Sequence, residues 1–410
     1  VISVTFVRPA DSTEVRALHR VNEIAFHETQ DPAEREISER LQEVDRLLGA
    51  FDGKEAVGVA GTFSLTMTVP GGAIPVAGVT AVSVLPTHRR RGILRDLMRS
   101  QLTSYHEQQR EAVAALFASE PGIYGRFGYG AASRALNLAI PRTHGAFVRA
   151  PATDDLQLVL AEPSDVVKDL RVIYEAQLPS RSGQLVRDEV RWDEVLLDPE
   201  RSRGGATPLR ACVARDSSGP RAYVLYSVSP KWTPAGPEGR VEVRELAALD
   251  PTAYAAVWRY LLGIDLVSVV EARRRPIDDP ILHLLAELRR AQATTRDGLW
   301  VRLVDVDRAL SARVYATAID IVVDIADDFC PWNAGRWRLA GDHSGAVCER
   351  TSHSPDVRLT STELGAAYLG GTHLSALAGA GWVEELRTGA IQALSIAMAS
   401  DLQPWCAQIF

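Results

Sequence analysis

Read as a pattern of apolar and polar positions, the 410-residue chain runs through one order of elements twice and then changes. Residues 1–7 predict a strand. Asp11-Ser12-Thr13-Glu14 predicts a helix start at which Asp11 caps and Glu14 reaches back, and Val15, Leu18 and Val21 recur at helical spacing behind it. From 46 to 84 the period is that of strands: 48–51, a turn at Asp52-Gly53, 56–69, a turn at Pro70-Gly71-Gly72, then 74–84, an antiparallel meander. A helix at 93–109 and an apolar run at 113–118, short enough for a buried strand, complete the order.

The same order returns with little sequence identity, which points to an internal duplication of fold. A strand at 156–160 and a helix at 164–176 are followed by a hairpin at 210–228, turning at Asp216-Ser217-Ser218-Gly219. A strand at 241–249, a helix at 251–262 opened by Asp250-Pro251 and an apolar strand at 266–272 follow. All eight Trp, beginning with Trp192, lie outside the first unit. From about Asp297 the pattern changes: strand 299–304, helix 307–313, strands around 318–325 and 337–340, then helices at 361–368, 374–378 and 385–398. The expected domains are therefore 1–145, 146–296 and 297–410. The segment Pro404-Trp405-Cys406-Ala407-Gln408-Ile409-Phe410 is apolar where a chain end is ordinarily polar and frayed. A docked tail is the expectation, against an apolar end that awaits a partner.

Composition narrows the chemistry. With 46% hydrophobic, 24% charged and 7% aromatic residues, wholesale disorder is excluded and several cores can be buried. The balance of 45 Lys+Arg against 52 Asp+Glu, a net −7, opposes general attraction to nucleic acid or to a membrane surface, so a basic site must be local. No run approaches the roughly 20 apolar residues of a membrane span, and the start lacks the charged-then-apolar plan of a secretory signal. Cys212, Cys330, Cys348 and Cys406 include no close pair suited to zinc or redox work, and the expected location is cytoplasmic. The nine His show no ligand spacing, so no metal is expected. Only Lys54, Lys168 and Lys231 are lysines, which shortens the list of catalytic lysines.

The most informative segment runs from Thr80 to Arg95, a strand passing into Pro86-Thr87-His88-Arg89-Arg90-Arg91-Gly92 and then a helix. First-turn N–H groups have no helical partner and carry the positive end of the macrodipole, Gly92 lets a ligand approach, and three arginines suit a polyphosphate. A solvated basic turn is the plain alternative, and Arg273-Arg274-Arg275, ahead of Pro276, is read that way.

In this strand order the segment resembles the acetyl-CoA pyrophosphate loop of the GNAT acyltransferases, whose pattern is Gln or Arg, two residues, Gly, one residue, then Gly or Ala. Arg89 to Gly92 fits, and Leu94 takes the last small position. That leucine, the string Pro86-Thr87-His88-Arg89-Arg90-Arg91-Gly92 and the later Ala118-Ser119-Glu120-Pro121-Gly122-Ile123-Tyr124-Gly125-Arg126-Phe127-Gly128-Tyr129-Gly130 look like one branch, the enhanced intracellular survival (Eis) acetyltransferases. The resemblance covers the whole chain. It implies an α+β protein of two tandem GNAT-like acyltransferase domains followed by a sterol-carrier-protein-like α/β domain, assembled as a homo-oligomer, a hexamer.

It further implies that Val82, Ser83 and Val84 meet the pantetheine arm of acetyl-CoA, that Arg90, Arg91, Gly92, Ile93, Leu94 and Arg95 surround its pyrophosphate, and that Ser119 and Glu120 complete the site. Tyr124 would be the general acid for the departing thiolate and the Phe410 carboxylate the base for the attacking amine. A phenol near pKa 10 is a suitable donor to a thiolate near 8.5 once water is excluded, and burial in an apolar tail would raise a carboxylate toward a useful base. Tyr124 and Tyr129 as plain core residues remain the alternative. The second unit has Leu249-Asp250-Pro251-Thr252-Ala253 at the matching junction, where an acid would repel pyrophosphate, so no acetyl-CoA is expected there. Phe26 and Glu28 are candidates for holding the small-molecule amine, by resemblance an aminoglycoside acetylated at several positions, while Ile409 stands where some members carry an acid. The competing readings are a protein-lysine or polyamine acetyltransferase and a non-catalytic ligand-binding assembly.

Overall fold

In a computed structural model, residues 5–149, 151–153 and 155–410 are described. Of the strand expected at 1–7, residues 1–4 lie outside the described residues; the strand present is β1 (Thr5–Pro9). Asp11 accepts from Thr13 N at 2.8 Å and Glu14 reaches back to Asp11 N at 3.1 Å, and helix α1 (Val15–Phe26) follows. Helix α2 (Pro32–Leu41), absent from the pattern reading, starts with a full capping box of Asp31 and Glu34 and Pro at its first turn. The meander is β2 (Leu48–Asp52), β3 (Glu55–Val69) and β4 (Gly72–Val84), followed by α3 (Ile93–Gln108), β5 (Val113–Phe117), the single turn α4 (Pro121–Tyr124) and β6 (Gly130–Ala131).

The second run comprises β7 (Arg134–Pro141), β8 (Gln157–Ala161), α5 (Val167–Gln177), α6 (Glu189–Leu196), β9 (Arg210–Asp216) and β10 (Gly219–Ser229). A small ribbon of β11 (Trp232–Thr233) and β12 (Gly236–Pro237) is followed by β13 (Gly239–Ala248), α7 (Pro251–Gly263), β14 (Val267–Pro276), α8 (Ile281–Leu284) and β15 (Thr294–Asp297). The rest is β16 (Leu299–Leu303), α9 (Val306–Ser311), β17 (Ile319–Ala326), β18 (Gly335–Asp342), β19 (Gly345–Arg350), β20 (Val357–Thr360), α10 (Ser361–Ala367), α11 (Leu374–Gly379), β21 (Glu384–Glu385) and α12 (Ala390–Met398).

Packing divides the chain differently from the expected boundaries. One unit takes the chain up to Ser133 together with Asp297–Phe410, and the other is Arg134–Arg296. The boundary expected at 145/146 thus falls at 133/134, because β7 is hydrogen-bonded along β14, from Ala135↔Pro276 to Pro141↔Val269. The strand at 299–303, expected to open the third domain, instead joins the first sheet. As β16 it pairs with β5 (Leu299↔Phe117 to Leu303↔Val113) and with β6, giving the order β1-β2-β3-β4-β5-β16-β6.

In the first unit the third domain, a sheet of order β19-β18-β17-β20-β21 with its helices, docks by close backbone approach and buried polar bonds. A Cβ on Gly130 would meet Thr362 O at 2.0 Å, so helix α10 can lie on β6 only over glycine. Arg302 pairs with Asp327 at 2.5 Å, both buried, and His106 stacks on Trp332 with centroids 4.4 Å apart. One apolar core therefore contains Met98 and Leu102 of α3, Leu116 of β5, Tyr124, Phe127 and Tyr129, with Cys330 and Phe329 of the third domain. In the second unit a sheet of order β15-β7-β14-β13-β10-β9-β8 carries α7 on a core of Val257, Trp258 and Leu261.

Candidate active site

The site grows from a defect in the first sheet. Between the pairs Gly61↔Thr80 and Val59↔Ser83, β4 carries one residue more than β3, and Ala81 sits there at a left-handed φ of 51°. Such a bulge twists and bends its strand. β4 and β5 pair in parallel only at Ala77↔Ala114 and Gly78↔Ala115, and then part. The Phe410 ring occupies this fork, edge-on to Phe117 with centroids 5.5 Å apart and close enough to Gly78 that a Cβ there would lie 3.1 Å from Cε2. Pro404, Trp405, Cys406 and Gln408 are buried, so the tail is docked in this structure.

Beyond β4 the chain turns through Pro86–His88 and Arg89, Arg90 and Arg91 to Gly92, the residue before α3. Gly92 has φ 88°, which only glycine adopts without strain, and a Cβ on it would meet nothing within 4 Å. Backbone conformation, not crowding, requires the glycine, and the space over the first turn stays clear. No side chain caps α3.

The end of β4 at Val82 to Val84, Arg89, Arg90 and Gly92 of the turn, and the start of α3 line a cavity of about 870 Å³, a size suited to a small molecule. Its walls hold Arg89, Arg90, Arg95, Arg99 and Arg126, with His88, against the acids Glu120 and Asp328. None of these arginines has a carboxylate partner among the described residues, whereas arginines in the body of the protein do: Arg46 meets Glu111 at 2.7 Å. Ser83, 6% exposed, has an Oγ buried without a hydrogen-bond partner among the described residues. Such orphaned polar groups are costly in a closed core and natural where a ligand completes them.

Tyr124 is 6% exposed, lies edge-on to Tyr129 at 6.0 Å and lines the cavity, and its hydroxyl makes no hydrogen bond to a described residue. Burial, with the nearby Glu120 carboxylate adding to it, pushes its phenol up to about 12. The hydroxyl is therefore a neutral donor over the whole physiological range.

Of the residues singled out from sequence, Phe26, Val82, Ser83, Val84, Arg90, Gly92, Ile93, Leu94, Arg95, Ser119, Glu120 and Tyr124 line one cavity. Arg91 and Glu28 are exposed and do not line it, nor does Phe410, which sits in the fork. Arg99, Arg126, Asp328 and Phe329 line it without having been foreseen. Arg99 was readable as the residue four after Arg95, on the same helix face. Asp328 and Phe329 arrive from more than two hundred residues away and leave no local signal. Among the described residues no group of His, Cys, Asp and Glu is arranged to hold a metal ion, and no helix is long and apolar enough to cross a membrane.

The second unit treats the corresponding place differently. Leu249 and Asp250 alone link β13 to α7; the Asp250 carboxylate accepts from Ala253 N at 2.8 Å and pairs with Arg221 at 2.9 Å. β13 is bulged as β4 is, Arg244 being the extra residue, and Glu245 beyond it is buried against Arg187 at 2.6 Å and Tyr223 at 2.5 Å. Of the Arg273-Arg274-Arg275 run, Arg275 is buried and paired with Asp279 at 2.7 Å.

Family models match along the chain in the same order: an acetyltransferase (GNAT) domain at residues 6–132, a second acetyltransferase (GNAT) domain at 183–304 and a sterol carrier protein domain at 306–407. The chain is 47% identical over 374 residues to an uncharacterized N-acetyltransferase of Streptomyces avermitilis, covering 91% of both. It is 35% identical over 362 residues to the N-acetyltransferase Eis of Mycobacterium tuberculosis, covering 86% of both. The crystal structure of Eis1 from Mycobacterium abscessus superimposes with a TM-score of 0.82 at 34% identity, over 99% of this chain and 100% of that one.

Proposed function

Since the chain belongs to the Eis family of GNAT N-acetyltransferases, we propose that it moves the acetyl group of acetyl-CoA to amines in the cavity of the first unit, with aminoglycosides as the first substrate class. The observation that carries this reading is the uncapped start of α3 ringed by arginines that have no carboxylate partner. The first-turn N–H groups with Arg90 and Arg95 receive the pyrophosphate. The edge of β4 that β5 leaves free at 82–84 takes the amides of the pantetheine as an added strand would. The Asp250 carboxylate at the start of α7 closes the matching place in the second unit, which by this reading binds no acetyl-CoA.

The amine nitrogen attacks the thioester carbonyl, the C–S bond breaks, and two protons are accounted for. The carboxyl group of Phe410 accepts the proton of the attacking amine, and the Tyr124 hydroxyl donates to the departing sulfur. A phenol that stays protonated to about pH 12 is a donor at every working pH, so it adds no falling limb to the rate near pH 10. The sign for stability is opposite on the alkaline side. The folded pKa lies above the unfolded one, so the contribution of Tyr124 is complete below about pH 10 and is lost as pH rises toward 12.

The test is release of free thiol from acetyl-CoA with an aminoglycoside panel, for wild type, Tyr124→Phe and a form extended by two residues beyond Phe410. A kcat lower by roughly 10²- to 10⁴-fold in Tyr124→Phe, at unchanged acetyl-CoA affinity, is the expected outcome. An extended form as active as wild type removes Phe410 as proton acceptor. Glu28 stands outside the cavity, whose lining acids are Glu120 and Asp328. That scarcity of acids favours, as second reading, an acceptor that presents a single amine, a protein lysine; turnover with lysine peptides and with no aminoglycoside would establish it.

A further inference from the structure

The cavity has a second basic cluster away from the start of α3, and the sterol-carrier-like domain supplies part of it. Arg99 lies six residues after Ile93, about 9 Å further along the helix at ~1.5 Å per residue. Its guanidinium rests over the Phe329 ring at 4.9 Å, Phe329 is 5.0 Å from Phe127, and Arg126 lies over Phe127 at 5.9 Å. Arg99, Arg126, Asp328 and Phe329 all face the cavity, and neither arginine has a carboxylate partner among the described residues; Arg126 donates to the Ile123 carbonyl at 3.3 Å. Asp328 is likewise without an ion-pair partner among them. The segment that presents these third-domain residues is held on both sides: Asp327 is buried against Arg302, and Cys330 N donates to Asp327 Oδ1 at 2.9 Å.

We propose that this arginine and aromatic cluster is the subsite for the adenosine 3′-phosphate of CoA, so that the third domain completes the cofactor site. The inference rests on the acetyl-CoA reading above. CoA is anionic at two separated places, the pyrophosphate and, one ribose away, a phosphomonoester of about −1.5 to −2 charge at neutral pH. The helix start with Arg90 and Arg95 answers the first. Arg99 and Arg126 form a distinct pair that a pyrophosphate at the helix start leaves without a counter-charge. The Phe329 ring offers a face to the purine, and the Asp328 carboxylate accepts from an amino or hydroxyl group of the adenosine. A cationic acceptor amine is repelled from this end of the cavity, which keeps the two substrates apart.

The test is direct binding by titration calorimetry at low salt, with CoA and 3′-dephospho-CoA as probes. Wild type is expected to prefer CoA by about tenfold or more, the loss of a charge-assisted contact, and rising salt should shrink that preference. The exposed positions allow Arg99→Ala/Arg126→Ala to fold, which circular dichroism checks. In this double variant the preference should fall below about threefold while the affinity for 3′-dephospho-CoA stays close to wild type. Phe329→Leu, which removes the seat of Arg99, should lower the preference about two- to threefold. Equal affinity of wild type for the two probes, or a preference that survives in the double variant, overturns the proposal. Failure of wild type to bind either probe overturns the acetyl-CoA reading itself and this subsite with it.

Discussion

In the first unit the chain takes Leu85 to Gly92 to pass from β4 to α3; in the second, Leu249 and Asp250 suffice between β13 and α7. Both preceding strands are bulged. The parallel ladder beyond is short in the first unit, at Ala77 and Gly78, and runs from Gly239 to Val243 in the second. Past the bulge, Ser83 has a buried Oγ with no partner among the described residues, and Glu245 is held by Arg187 and Tyr223. Folding alone favours the second solution, in which the Asp250 and Glu245 carboxylates are both answered from within. The first withholds those answers and leaves an anion-ready surface, which costs stability unless a ligand completes it.

The largest expected effect comes from opening what the second unit has closed. Arg187→Ala leaves Glu245 buried without its guanidinium and should cost about 3–5 kcal/mol in chemical denaturation. CoA affinity of the folded fraction should remain within a few-fold of wild type; its loss would show that the two junctions are not separable. Next is closing what the first unit leaves open. Gly92→Asp places a carboxylate at the start of α3 and should weaken CoA binding by roughly 100-fold or more, about 2.7 kcal/mol. Gly92→Asn, which shares the left-handed strain without the charge, should weaken it far less. Equal losses for the two would assign the effect to backbone strain. The smallest is Asp250→Ala, which uncaps α7 at about 0.5–2 kcal/mol. The stoichiometry by calorimetry should stay at one CoA per chain, because Arg221 at that helix start also pairs with Asp216, at 3.5 Å. A new CoA site would mean that an open helix end alone is sufficient.

What could be read beforehand follows the range of the physical signal. The β2-β3-β4 meander and α3 are visible because period and turn chemistry are local: Asp52-Gly53, Pro70-Gly71-Gly72 and Gly92 mark their own bends. The cavity residues of the Arg90 to Arg95 and Ser119 to Tyr124 stretches were legible for the same reason. Helix α2 was legible too, through Asp31, Pro32 and Glu34, although only its capping box in the structure brought it out. The destination of 299–303 was not, since an apolar strand does not say which sheet it joins, and its pairing with β5 spans the whole second unit. Asp328 and Phe329 were hidden likewise: they reach the cavity only because Asp327 and Trp332 fasten their loop against β16 and α3.

The place of β16 in the first sheet also orders events during synthesis. A ribosome delivers β1 to β6 early, yet the strand between β5 and β6 is made only after everything up to Arg296 has been translated. The second unit, continuous in sequence, can finish its sheet while the first still shows β5 with an unfilled edge. Closing that edge late carries a long-loop entropy cost and a slow, non-local step. For that interval the nascent chain exposes a strand edge of the kind that pairs wrongly, and chaperone demand should be greatest between translation of β6 and of β16.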